Sequence, residues 1–140
     1  MSISVDIVTP EKPLLSVSAD LLVVPAADGE MGILARHIPV LAQLQPGEIR
    51  LVSGESVQRV AVSGGFVEVE ADRVTVFAET AEMAQEIDIE RARQAAERAR
   101  MALRAVPPDR DMAALEAALR RALARLRVAE ALRRSYSGQY

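Results

Sequence analysis

Guanidinium groups are the chemistry this sequence offers in quantity. From Asp88 onward there are twelve arginines against seven acids, a formal +5. Through Glu86 there are five basic residues (Lys12, Arg36, Arg50, Arg59, Arg73) against thirteen acids, a formal −8. A guanidinium forms planar, paired hydrogen bonds to carboxylate or phosphate, so a basic half suggests an anionic partner. That partner could be a nucleotide, a nucleic acid, a membrane surface or an acidic protein surface. The alternative is that the arginines simply solvate an Ala-rich helix, and at this point both readings stay open.

Other reactive groups are scarce. There is no Gly-x-x-x-x-Gly-Lys-Ser/Thr, no Gly-x-Gly-x-x-Gly and no Gly-x-Ser-x-Gly. His37 is the only histidine, so neither a multi-histidine metal site nor His-based acid–base chemistry is expected. Its neighbours are apolar apart from Arg36, which favours a structural or interface role. With no cysteine there can be no disulfide and no Cys-based zinc site. Carboxylates are plentiful before Glu86, yet none stands out as a spaced catalytic pair. Two Tyr and two Phe, with no strand alternating aromatic and basic residues, argue against a nucleic-acid stacking platform. The expectation is a protein with no active site, no metal and no required cofactor.

These groups must be positioned by a small framework. A chain of 140 residues can bury one core, or one core plus an appendage. It has no apolar run of the roughly 18 residues a membrane span requires, so no direct membrane insertion is expected. The stretch Met1–Asp6 lacks a basic region and an apolar core, so no signal peptide is expected. A cytoplasmic protein fits these features.

The sequence changes character near residue 85. Six of the seven glycines precede that point, among Val- and Ile-rich segments. Ile3, Val5 and Ile7 alternate with more polar neighbours before Pro10. Leu21–Val24 is a short apolar run ended by Pro25, and Asp28-Gly29 is a turn signal. Ile49–Val52 and Val57–Val62 flank Ser53-Gly54-Glu55-Ser56, a hairpin signal. Phe66–Glu70 and Arg73–Ala78 flank the tight connection Ala71-Asp72, with Val74, Val76 and Ala78 on one strand face and Thr75 and Phe77 on the other. Short strands at this spacing predict an antiparallel sandwich or flattened barrel.

After residue 85 the period becomes helical. Ile89, Ala92, Ala96, Ala99, Leu103 and Val106 form one stripe, and Met112, Leu115, Leu119, Ala122, Leu126 and Ala129 a second. Pro107-Pro108 separates them, which predicts an antiparallel helical hairpin. Asp88 is placed to cap the first helix and Asp109 or Asp111 the second. The expected fold is therefore β followed by α: a β-sandwich over residues 1–84, then a helical hairpin over residues 85–140, with helices at about 88–105 and 111–134. The seam is rich in alanine. At about 25 cal/mol per Å² of apolar surface, it stabilises weakly, although Ala and Arg favour helix. Either a mobile arm or an ordinary docked hairpin fits this pattern.

Several blocks carry a resemblance. Gly29-Glu30-Met31-Gly32-Ile33-Leu34-Ala35-Arg36-His37-Ile38-Pro39-Val40-Leu41 is followed by Leu44-Gln45-Pro46-Gly47, by Ser63-Gly64-Gly65-Phe66-Val67-Glu68-Val69, and by Val74-Thr75-Val76-Phe77-Ala78-Glu79. In this order and spacing the chain resembles the epsilon subunit of the bacterial F-type ATP synthase, over essentially its whole length. Ala35 departs from the family, which usually has Pro there. The resemblance implies a sandwich that grips the gamma subunit and sits on the c-ring, and a C-terminal hairpin that folds down on the sandwich or extends into the catalytic head to block ATP hydrolysis. Such a subunit performs no chemistry itself and lies peripherally on the cytoplasmic face of the bacterial plasma membrane. It also implies that Glu30, Arg36 and His37 face the c-ring. Arg120, Arg121, Arg125, Arg127, Arg133 and Arg134 would meet an acidic segment of the beta subunit, with alpha nearby, in a salt-sensitive contact.

The resemblance extends to a possible nucleotide site. Ile87-Asp88-Ile89-Glu90-Arg91-Ala92 matches the family's Ile/Leu-Asp-x-x-Arg-Ala motif, and Glu82, Arg98, Arg121 and Arg125 match its other positions. Four guanidiniums converging from two helices would hold a triphosphate, with Asp88 and Glu82 accepting from ribose or adenine. ATP is then a regulatory ligand. The competing reading makes Arg91 and Arg98 partners of nearby acids, with no ligand. A rival from another class is a free-standing cytoplasmic nucleotide sensor with a β-sandwich and a helical tail, needing no partner.

Overall fold

The computed structural model describes residues 1–106 and 112–137, with side-chain surroundings through residue 134. The Pro107-Pro108 turn and the Asp109 or Asp111 cap therefore lie outside the described residues.

Period-two alternation of Val, Ile and Leu produces ten strands: β1 (Ile3–Val8), β2 (Pro13–Ala19), β3 (Leu21–Ala26), β4 (Gly29–Ile33), β5 (Val40–Leu44), β6 (Gly47–Ser53), β7 (Ser56–Val62), β8 (Gly65–Glu70), β9 (Arg73–Ala78) and β10 (Ala81–Met83). They pair in the order β10-β7-β6-β3-β5-β8-β9-β1-β2, with β4 beside β3. The two halves of this path meet at a single bridge, Ala26 to Leu44. Both halves contribute to one core. Ile3, Val5 and Ile7 of β1 pack with Leu22 and Val24 of β3, Ile49 of β6, Val60 of β7, Val67 of β8, and Val74 and Val76 of β9. The sheet thus folds back on itself as a sandwich, and among the described residues no polar or charged residue is buried.

The architecture agrees with the expected sandwich, with one amendment. β1 pairs antiparallel with β2 but parallel with β9, so the sheet is mixed. The sequence reading does not mark β2, β4, β5 or β10, although Leu15, Val17 and Ala19 of β2 alternate with Ser16 and Ser18. In β4, Gly29 and Gly32 look like turn residues, yet the strand lies at the edge and buries only Ile33. β3 also runs through Pro25, whose missing N–H is tolerated near the strand end, while its carbonyl accepts from the Gln45 N–H at 2.8 Å.

A short 3₁₀ turn, Ala84–Glu86, leads into helix α1 (Ile89–Arg104). Asp88 caps it as expected: one carboxylate oxygen accepts from the N–H groups of Glu90 and Arg91, both at 3.1 Å. Helix α2 spans Ala113–Ser137, three residues beyond its expected end. It packs against both α1 and the sheet at β6 and β7. This explains why one stripe does not describe it. Ala129 belonged to the expected stripe, but Ala124 and fully buried Val128 did not, and all three are buried. Val128 and Ala129 join Ala61, Ala84, Ile87 and Ala92 in a second small cluster between sandwich and hairpin.

Candidate functional site

The seam between β10 and α2 concentrates the chemistry. β10 is only three residues long, and its pairing with β7 sets Glu82 opposite Ala61. That register aims the Glu82 carboxylate at the middle of α2. Arg125 donates from Nε to one carboxylate oxygen at 2.7 Å and from a terminal nitrogen to the other at 3.1 Å. Both side chains are about two-thirds buried, 35% and 32% exposed. Donating these hydrogen bonds to Glu82 raises the Arg125 pKa above its ordinary value. Burial opposes this, and the charges of Glu82 and Asp88 add to it.

A cleft of about 490 Å³ opens beside this pair, walled by Ser63, Glu79, Thr80, Glu82, Arg121 and Arg125. The Thr80 hydroxyl donates to the Ser63 hydroxyl oxygen at 2.7 Å, which also accepts from the Thr80 N–H at 3.1 Å. The cleft therefore offers cationic, hydroxyl and carboxylate groups together. Such a set suits a polar anionic ligand better than an apolar one.

Of the residues singled out in the sequence, Glu82, Arg121 and Arg125 meet in this cleft. Ile87 and Ala92 are buried beneath the seam, 8% and 1% exposed. Asp88 is occupied at the helix cap. Arg91 and Arg98 do not line the cleft. The Arg91 side chain is 82% exposed, with Nε 3.9 Å from the Asp88 carboxylate, and Arg98 is exposed on α1. In this docked arrangement the four guanidiniums do not converge.

A second charged cleft of about 750 Å³ lies between α2 and the sheet. Arg127 and Arg134 line it from the helix, opposite Glu30, Glu48, Arg50 and Arg59. Glu48 accepts from Arg59 at 2.8 Å and from Arg50 at 3.1 Å, and Arg50 reaches Glu30 at 2.6 Å. Partial burial lowers the Arg50 pKa, but the hydrogen bonds and charges of Glu48 and Glu30 outweigh it, so the net direction is upward. Arg120 lies on the same helix beside Gln45 and Pro46, and Arg133 beside Glu130. Of the six arginines marked on α2, Arg125 is the half-buried one and the others are exposed.

Arg36 and His37 lie in the loop after β4. The His37 Nδ1 is 2.7 Å from the Ile38 carbonyl oxygen, and Leu34 and Ile38 beside it are 58% and 74% exposed. The Arg36 N–H donates to the Asp72 carboxylate at 2.8 Å. Motifs do not mark Arg50 or Asp72: Arg50 bridges nearby Glu48 to Glu30, twenty residues away, and Asp72 meets Arg36 from 36 residues away. Nor do they mark the outer face of β5, β8 and β9. There Phe66 and Phe77 sit directly opposite one another, 50% and 46% exposed, with Leu41 at 68%. Their only sequence signal was position on the outward phase of a strand. Among the described residues no cluster could hold a metal, and no helix is long and apolar enough to cross a membrane.

Residues 2–84 match the family described as ATP synthase, delta/epsilon chain, beta-sandwich domain, and residues 85–130 match its long alpha-helix domain. The sequence is 46% identical over 132 residues to the ATP synthase epsilon chain of Moorella thermoacetica, spanning 94% of this chain and 98% of that one. It is 47% identical over 135 residues to the epsilon chain of Herpetosiphon aurantiacus, spanning 96% and 98%. The fold superposes with TM-score 0.70 and 26% identity on a chain of the Euglena gracilis mitochondrial ATP synthase OSCP/F1/c-ring structure, covering 96% of this chain and 81% of that one. A chain of the Tetrahymena thermophila central stalk and c-ring structure, at TM-score 0.57 and 16% identity, shares the fold.

Proposed function

The chain belongs to the ATP synthase delta/epsilon family, and on that footing we propose that it works as a non-catalytic rotor subunit whose sandwich joins gamma to the c-ring and whose helical hairpin regulates ATP hydrolysis. The observation that carries the regulatory part is the seam. The hairpin rests on the sandwich through a cluster dominated by alanine, Ala61, Ala84, Ala92 and Ala129 with Ile87 and Val128, and through the Glu82–Arg125 pair. So few buried methylenes hold a helix lightly, and a lightly held helix exchanges between docked and released states.

The docking roles divide over the surface. The outward Phe66, Phe77 and Leu41 form an apolar sheet face suited to a helical partner, which we assign to gamma. Glu30, Arg36 and His37 present polar groups, flanked by Leu34 and Ile38, to the loops of the c-ring. In the released state Arg120, Arg121, Arg125, Arg127, Arg133 and Arg134 would engage an acidic segment of the beta subunit, with alpha adjoining. The subunit would then act peripherally at the cytoplasmic face of the membrane.

ATP is the proposed ligand that favours the docked state. Arg121, Arg125 and Glu82 already share the seam cleft. Arg91 and Arg98 are exposed on α1 outside the cleft, Arg91 beside Asp88, and both side chains would have to turn to reach a triphosphate. Asp88, Ile87 and Ala92 belong to the same motif, Asp88 as the cap of α1 and the other two packed beneath the seam. ATP shifts the population only if it binds the docked hairpin more tightly than the released one. Two measurements test the proposal. Hydrolysis by the assembled enzyme is compared with and without residues 88–140; equal rates would sink the inhibitory role. Isothermal titration of the isolated subunit at about millimolar ATP should give binding heat. That heat should disappear in Arg91→Ala plus Arg125→Ala, and heat that survives both substitutions removes the nucleotide site.

A further inference from the structure

Residues 34–37 form a hydrogen-bonded turn. The His37 N–H donates to the Leu34 carbonyl at 3.2 Å, and Arg36, third in the turn, has φ +67°. A left-handed residue at the third position is the requirement of a type II turn. Pro at the second position and Gly at the third meet that requirement with least strain. This chain has Ala35 and Arg36 instead, so neither preorganising residue is present. Another group must hold the conformation.

That group is Asp72. Its carboxylate accepts the Arg36 N–H at 2.8 Å, a charge-assisted bond to the peptide that a type II turn leaves without an internal partner. Asp72 is itself fixed. It sits in the two-residue connection between β8 and β9, after Ala71 at φ +54°, and its carbonyl accepts the Ser4 N–H at 2.8 Å. Ser4 in turn pairs with Arg73 across the parallel β1–β9 ladder. One residue therefore ties together the start of β1, the β8–β9 turn and the 34–37 turn.

We propose that Asp72 is the positioning residue of the turn that presents Arg36 and His37, supplying by a tertiary hydrogen bond the preorganisation that Pro-Gly would supply locally. The inference rests on the reading that this turn faces the c-ring. Asp72 need not touch the ring itself.

The test uses Asp72→Ala, Asp72→Asn, and Asp72→Ala combined with Ala35→Pro. In the full-length subunit, Asp72→Ala should speed amide exchange of Arg36 by about tenfold while the β1 and β9 amides keep their rates. Asp72→Asn retains an acceptor oxygen and should stay near the native rate. Ala35→Pro should restore slow exchange in the Asp72→Ala background. In the assembled synthase, ATP-driven proton pumping should fall with Asp72→Ala and recover with the added Ala35→Pro. Arg36 exchange within about twofold of native in Asp72→Ala overturns the assignment. Loss of pumping in Arg36→Glu without loss in Asp72→Ala overturns it while leaving the ring-facing reading intact. Native pumping in both removes the ring-facing reading and this inference with it. Should Asp72→Ala not fold, Ala35→Pro alone should slow Arg36 exchange, and an unchanged rate counts against the turn assignment.

Discussion

Glu82 and Arg125 are 43 residues apart in sequence and share two hydrogen bonds, at 2.7 and 3.1 Å. The pair joins the last strand of the sandwich to the middle of the second helix. Replacing Arg125 by Ala should lower the docked-to-released ratio of the hairpin. About 1 kcal/mol is expected, because a third of each side chain faces solvent, which is roughly a fivefold change in that ratio. Faster amide exchange in α2, with unchanged exchange in β1 and β9, would report it. Unchanged α2 exchange would mean that the pair does not hold the helix.

Val128 is fully buried in the small cluster under the hairpin. Val128→Ala should destabilise docking by about 1–3 kcal/mol through lost burial and a residual cavity. Val128→Asp should release the helix altogether, since a carboxylate there has no partner. The urea midpoint of the sandwich should shift little in either variant. A collapse of the sandwich itself would show that the hairpin is part of a single cooperative unit.

Gly65 occupies φ +136°, and a Cβ there would fall inside contact distance of the Phe77 carbonyl oxygen. The clash is with backbone of the paired strand, which cannot swing aside. Gly65→Ala should therefore cost about 2–4 kcal/mol of sandwich stability, read as a lower urea midpoint. A midpoint within error of native would contradict the register of β8 and β9.

The docking contacts should respond to salt more than to alkali. Arg125 has a raised pKa in the folded protein. A raised folded value means the stabilisation is complete below the unfolded pKa and is lost only as pH rises through the folded one. The docked fraction should thus stay level from pH 7 to about 10. It should fall as ionic strength rises, because the pair is partly exposed. A loss of docking between those pH values would require a different titrating group at the seam.

Phe66 and Phe77 face outward across from each other. Phe66→Ser with Phe77→Ser should change thermal stability only slightly, since about half of each ring is already solvated. Binding to gamma should weaken by about tenfold or more if these rings anchor that interface. Native affinity would remove these rings from the proposed gamma interface.

The division near residue 85 is written in local patterning alone. Period-two apolar runs and helical stripes each record local geometry, so β1, the β6–β7 and β8–β9 hairpins, the helices and the Asp88 cap were all legible. That patterning did not reveal β4, whose glycines mimic a turn, nor the parallel β1–β9 pairing, which joins segments about seventy residues apart. Among the site residues, the sequence supplied the types and their spacing along each helix. Which of them meet was a tertiary decision. The register of the three-residue β10 aims Glu82 at Arg125, and the docking of α2 leaves Arg91 and Arg98 in solvent. The same holds for Asp72 and Arg36. A hydrogen bond between residues 36 positions apart leaves no periodic trace, because it depends on how two loops meet at one end of the sandwich.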